Sequence, residues 1–172
     1  ATLCVSSQVG CKMNCKFCMT GKQGYTANLT ASQIINQIHS LPERDKLTNV
    51  VMMGMGEPLD NFDNAMRFLE LVGDGKGLNL SLRNISLSTC GVVPRIYDLM
   101  ERHLQLTLSV SLHAPNNEMR SKTMPINKKY PIEELLKACR EYTKRTSRRI
   151  SFEYALAKDN NDNLEDAKEL VN

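Results

Sequence analysis

Five times along this chain a short β-rich run is followed by a stretch with helical spacing, and a parallel sheet covered by helices is the arrangement that absorbs such alternation. The first run, residues 2–6, leads through a loop to Thr30-Ala-Ser-Gln33. That is a capping-box pattern, in which the two end side chains satisfy each other's free amides. Ile34, Ile35, Ile38 and Leu41 then recur on one face, and Pro42 ends the helix. Residues 49–53 read as a continuous apolar strand closed by Gly54, and the next helix starts near Asn61 and carries Phe62, Met66, Leu69 and Leu71 to Gly73. The third strand spans 84–89, with a helix from Pro94 bearing Ile96, Leu99 and Met100. The fourth spans 105–112, and its helix, 131–142, turns Ile132, Leu135, Leu136 and Cys139 inward. A fifth strand over 149–156 precedes a helix that begins over 164–171. The expected fold class is therefore α/β.

A length of 172 residues suits one domain over 1–172 with a sizeable buried core. The chain starts at Ala1, directly before strand-like residues, and stops inside a helical pattern, so the expectation is a core truncated at both ends. Six cysteines, spaced as a tight triplet and three singles, do not make a disulfide framework and fit a reducing cytoplasm. No apolar run is long enough to span a bilayer, and neither a signal peptide nor a membrane partner is expected. A net charge of +3 is too small to carry a claim of RNA binding. With no Trp and few aromatics, a broad base-stacking platform is not expected.

The triplet itself lies in Gly10-Cys-Lys-Met-Asn-Cys-Lys-Phe-Cys-Met-Thr-Gly21. Cys11, Cys15 and Cys18 can hold three irons of a [4Fe–4S] cluster and leave the fourth iron open for a substrate or cofactor. Phe17 offers an apolar shield. The alternative is a structural zinc knot, which wants a fourth ligand from Cys4, Cys90 or a histidine. Gly54-Met-Gly56-Glu57-Pro58 follows a strand; its glycines can admit a ligand to the backbone, or can merely serve a turn. Ser88 and Ser111 end strands, where hydroxyls bond either a ligand or the local backbone. His113 and Leu112 follow directly. Cys4 on the first strand reads, by position, as a small buried hydrophobe. Lys137, Arg140, Lys144, Arg145, Arg148 and Arg149 suit RNA phosphates or a solvated helix end equally. Lys128 and Lys129 are read the same way.

The triplet resembles that of the radical S-adenosylmethionine (SAM) enzymes. Cys-Val-Ser-Ser-Gln-Val-Gly-Cys from Cys4, Met-Gly-Met-Gly-Glu-Pro-Leu from Met53, Leu-Ser-Thr-Cys-Gly from Leu87 and Ser-Leu-His-Ala from Ser111 are similar to the RlmN/Cfr type. That type methylates an adenine of large-subunit ribosomal RNA. The resemblance implies a partial (β/α)6 radical SAM barrel with about five βα units and chemistry at the C-terminal strand ends. It implies a [4Fe–4S] cluster on Cys11, Cys15 and Cys18, and SAM held by Gly56, Glu57, Ser88, Ser111, Leu112 and His113. It assigns to Cys4 the disulfide-forming role that releases a covalent protein–RNA intermediate. It implies ribosomal RNA as partner, with transfer RNA and the choice between carbon 2 and carbon 8 left open, and an electron donor such as flavodoxin. The family's methyl-carrying cysteine and general-base glutamate are expected outside 1–172, so this segment alone is expected to bind the cluster without methylating RNA. The alternatives are another radical SAM enzyme, such as a glycyl-radical activase, and a non-catalytic zinc-stabilised RNA-binding module.

Overall fold

In this computed structural model, which describes residues 1–171, the chain enters at β1 (Thr2–Cys4) and then turns through a feature the periodicity does not announce. The feature is an antiparallel hairpin of β2 (Gln8–Gly10) and β3 (Tyr25–Asn28), with the cysteine loop and the short helix α1 (Met19–Gln23) between its arms. Three- and four-residue strands are too short to carry a visible alternation, which is why the sequence leaves this stretch as loop. Next come α2 (Ala31–His39), β4 (Asn49–Met52) and α3 (Phe62–Gly73), followed by β5 (Ile85–Thr89) and α4 (Val93–Met100). The last part is β6 (Thr107–Ser111), α5 (Asn117–Thr123), α6 (Ile132–Thr146), β7 (Ile150–Glu153) and α7 (Leu164–Val171).

β1, β4, β5, β6 and β7 lie side by side in chain order, every neighbouring pair parallel. This is the expected α/β sheet of five strand–helix units. The register sets Cys4 beside Val51, Ser88 beside Ser109 and Ser111 beside Glu153. The strands are shorter than the apolar runs suggest. β1 stops at Cys4 because Ser6 and Ser7 turn towards the loop after β4, where the amides of Ser7 and Gln8 both donate to Met55 O. β7 stops at Glu153, and the next residues wrap over the strand ends.

The capping box is present: Thr30 Oγ1 accepts from the Gln33 amide and Gln33 Oε1 from the Thr30 amide. α2 packs on α3 and α4 on α6. Ile34 and Ile38 are fully buried, as are Val50, Leu87, Leu108 and Val110 from the strands. Each such side chain contributes roughly 1.5–3 kcal/mol of transfer free energy. α6 runs past the expected Tyr142 to Thr146 and ends where Ser147 adopts a left-handed φ of 55°. α5, only seven residues long, is the other element without a sequence signal. No helix among the described residues is long and apolar enough to cross a membrane.

Candidate functional site

A cavity of about 210 Å³ opens at the C-terminal ends of the parallel strands. Cys11, Cys15 and Cys18 line it on one side, Gly54, Gly56 and Glu57 on the second, and Ser88, Cys90, Ser111 and Glu153 on the third. All six cysteines are free thiols. The cysteine loop is held in shape by its own backbone: the Cys11 amide donates to Gly24 O at 3.0 Å, and the Cys18 amide donates to Cys15 O at 3.0 Å as α1 begins. The Lys16 amide donates to Thr123 O at 2.9 Å, so the middle of the loop is anchored to the end of α5. Phe17, half exposed at the rim, meets the His113 ring edge-on at 4.9 Å. Burial pushes the Cys15 thiol up to about 12, with the charges of Cys11 and Cys18 adding to it. Cys11 is also raised, first by burial. Thiols so placed are deprotonated only when a cationic group compensates them.

The glycines after β4 have a protein-internal reason. A Cβ at Gly54 would lie 2.6 Å from Ser6 Oγ and 2.8 Å from Val5 O, and one at Gly56, whose φ is +98°, 2.5 Å from Gln8 Cβ. This loop is stitched to the β1–β2 segment: Ser6 Oγ accepts from the Met55 amide at 3.0 Å and Gln8 Oε1 from the Glu57 amide at 2.9 Å. Glu57 is 4% exposed and both of its oxygens are engaged, accepting from the Leu59 amide at 3.0 Å and the Cys90 amide at 2.8 Å. Burial raises its pKa against the pull of those amides. Its carboxylate thus ties the loop after β4 to the loop after β5 while forming part of the cavity wall.

Across the cavity, the Ser88 and Ser111 hydroxyls both donate to Glu153 Oε2 at 3.3 Å. Glu153 is the residue sequence reasoning missed. It occupies the end of the fifth strand, the same position in its unit as Ser88 and Ser111 in theirs, and that placement was the available signal. Leu112 and His113 lie off the wall. The Leu112 side chain is buried, its amide donates to Glu153 O and its carbonyl accepts from Arg120 Nε. His113 has φ 57° and Nδ1 accepts from the Ala155 amide at 3.0 Å, so its ring braces the chain after β7. Cys4 also lies off the wall. It is exposed, while its neighbour Leu3 packs on the core, so the strand pleat turns Cys4 outward and the reading as a buried hydrophobe does not hold. Of the basic stretch, Arg145 pairs with Glu101 at 3.1 Å and Arg148 donates to Leu106 O, whereas Arg140, Lys144 and Arg149 line a groove between α6 and β7.

Among the described residues no three His, Cys, Asp or Glu side chains converge on one point as a single metal ion demands. Three thiols on one side of the cavity, with no fourth ligand beside them among the described residues, suit a group that carries several metal atoms, as a cubane does, better than a closed zinc site. The facing hydroxyls and carboxylate supply the polar partners a nucleoside and amino-acid ligand needs. The residues present therefore fit both a [4Fe–4S] cluster and SAM.

Comparison with known proteins gives the same result. The chain is 52% identical over 172 residues to the "Probable dual-specificity RNA methyltransferase RlmN" of Clostridium novyi, covering 99% of this chain and 50% of that protein. It is 50% identical over 171 residues to the protein of the same name from Caldanaerobacter subterraneus subsp. tengcongensis, with the same coverage. The chain spans about half the length of the curated relatives it matches. It superposes with a TM-score of 0.95 on a radical SAM methyltransferase from Sphaerobacter thermophilus, at 46% identity over 98% of this chain and 51% of that one. The family model of the radical SAM superfamily, whose members use a [4Fe–4S] cluster and SAM, matches residues 5–171. With the cysteine triplet and the strand-end cavity in place, the chain belongs to the radical SAM superfamily.

Proposed function

We propose that this chain is the radical SAM core of an RNA methyltransferase of the RlmN type, acting at carbon 2 of an adenine in large-subunit ribosomal RNA. The relatives' printed name, dual-specificity, supports a second RNA class, which we take to be transfer RNA. The observation that carries the proposal is the single cavity lined by Cys11, Cys15, Cys18, Gly56, Glu57, Ser88 and Ser111.

Cys11, Cys15 and Cys18 would each hold one iron and leave the fourth to the amino and carboxylate groups of SAM. When bound, the cluster and SAM together supply one-electron cleavage of the sulfonium, the radical source that substitution at an unactivated aromatic carbon requires. The remaining work belongs to the protein. Ser88 and Ser111, released from Glu153, would hold hydroxyl or carboxylate groups of SAM, and Glu153 would then accept from a ribose hydroxyl. The Glu57 bridge fixes the spacing of the two loops that flank the ligand. Phe17 and the apolar part of the wall would shield the bound group from water. Leu112 and His113 would act by shaping the end of β6 rather than by side-chain contact. Cys4, an exposed thiol, is proposed to form the disulfide that accompanies product release. A flavodoxin-type electron donor and a cytoplasmic location complete the reading.

Anaerobic reconstitution with iron and sulfide tests the core of it. About four irons per chain, as a cubane requires, and a visible-spectrum change on adding SAM support the proposal. Zinc without sulfide overturns it and favours the zinc module. In the full-length protein, mass spectrometry of ribosomal and transfer RNA then reads the substrate and the ring position.

A further inference from the structure

Arg120 is fully buried, and among the described residues no carboxylate lies within ion-pairing distance of it. Its donors go to neutral acceptors instead. Nη2 donates to Cys90 O at 2.7 Å and Ser111 O at 3.0 Å, Nε to Leu112 O at 3.2 Å and Nη1 to Asn127 Oδ1 at 3.0 Å. Asn127 is itself held from the far side, its amide donating to Asn117 Oδ1 and Ser121 Oγ. A lone buried cation is costly, because carbonyl dipoles replace hydration only in part. The four acceptors satisfy the guanidinium's hydrogen bonds, yet none of them carries the negative charge that would compensate it.

What lies in front of the guanidinium accounts for the charge. Cys90 and Ser111, whose carbonyls Nη2 holds, both line the cavity, as does Met124 just beyond the end of α5. Arg120 therefore stands directly behind the wall that faces Cys11, Cys15 and Cys18. The same short helix reaches the cysteine loop from its other end, through Lys16 and Thr123.

We propose that Arg120 is a positioning residue that serves as the buried counter-cation of the iron–sulfur site. Three thiolates leave a [4Fe–4S] core in its resting state with one net negative charge, and uptake of one electron from an external reductant makes it two. A fixed cation behind the wall favours the more negative state, so it raises the reduction potential and makes the cluster easier to reduce. Net charge and dielectric around a cluster are established levers on its potential. The proposal rests on the cluster reading above.

The test is an anaerobic redox titration of the reconstituted protein, without SAM, with the reduced cluster read by electron paramagnetic resonance. Arg120→Met keeps the volume and removes the charge. Arg120→Gln removes the charge and keeps a hydrogen-bonding head. Arg120→Lys keeps the charge and sacrifices most of the clamp. The expected result is a fall of at least about tenfold in the ratio of reduced to oxidised cluster at fixed potential in Met and Gln, which for a one-electron couple is about 59 mV, with Lys near wild type. A neutral variant that holds four irons at the wild-type potential overturns the proposal, and so does a Lys variant shifted as far as Met. If neither neutral variant keeps iron although both keep the wild-type circular dichroism, loading of the Lys variant supports it and failure of that variant overturns it. Failure of the wild-type chain itself to bind a cluster would instead sink the function proposed above.

Discussion

Ser111 and Glu153 stand opposite each other on neighbouring parallel strands, and the Ser111 hydroxyl donates to Glu153 Oε2 at 3.3 Å. Ser88, one strand further in, donates to the same oxygen. One acceptor thus holds two hydroxyls at the cavity in the rotamers from which they would turn to a ligand. Glu153→Ala is expected to weaken SAM binding by about 10- to 100-fold, the range for losing a hydrogen bond to a charged group. Because Glu153 is only half-buried, the melting temperature should hardly change. Anaerobic calorimetry on the reconstituted protein checks the first point and thermal denaturation the second.

The Glu57 carboxylate carries a larger structural load. Glu57→Ala leaves the buried Leu59 and Cys90 amides without an acceptor, at about 1–3 kcal/mol for each unsatisfied group. A lowered urea midpoint with an unchanged slope is the expected reading. Its pH behaviour has a definite sign. The folded pKa lies above the ordinary 4.5, so the folded chain binds more protons than the unfolded one and stability falls as pH rises from 4.5 through the folded value. Glu57→Gln should flatten that segment of the stability–pH curve; an identical slope in the variant would refute the assignment.

His113 works in the opposite direction. Burial, helped by the Arg120 charge, lowers its pKa below the ordinary 6.5. Its contribution is complete above pH 6.5 and disappears as pH falls through the folded value, because the unfolded chain takes up the proton first. Protonation would also compete with the bond that Nδ1 accepts from the Ala155 amide. Unfolding midpoints for wild type and His113→Gln should diverge above pH 6.5 and converge below it.

Gly10 and Gly24 form a controlled pair. Both have positive φ, +80° and +76°. A Cβ at Gly10 would collide with the Gly24 carbonyl oxygen, whereas one at Gly24 meets nothing within 4 Å. Gly24→Ala is expected to cost about 1–3 kcal/mol, the range for backbone strain alone. Gly10→Ala should cost clearly more and should lower iron uptake, since the same carbonyl receives the Cys11 amide. Equal unfolding midpoints for the two variants would contradict this.

Cys4→Ser should leave both stability and iron content at wild-type levels, because the thiol is exposed and lies off the cavity wall. Loss of iron in this variant, measured alongside Cys15→Ser, would instead make Cys4 a cluster ligand.

The sheet was readable from the sequence because β4 carries an apolar run, β5 and β6 alternate apolar with small polar residues, and each helix has a one-sided stripe, as Ile34, Ile35 and Ile38 show for α2. The hairpin and α5 were not, since their elements are too short for a period to emerge and their bonds, such as Gln8 to Asn28 and Asp60, join residues distant in sequence. In the site, spacing alone grouped Cys11, Cys15 and Cys18, and all three line one cavity. The second role of Glu57 as a bridge and the reason for Gly56 depend on which loops become neighbours, and a linear reading does not contain that; Glu153 was missed because the fifth strand ends there and not at residue 156.

The bond from Lys16 to Thr123 joins parts of the chain more than half its length apart. The cysteine loop therefore reaches its final shape only after β4, β5 and β6 have paired and α5 has docked, and pairing over such separations comes late in folding. An iron-delivery system that meets the nascent chain would find three loosely tethered thiols, and one that meets the finished fold would find a prepared seat. On the cluster reading proposed above, loading would be coupled to the docking of α5.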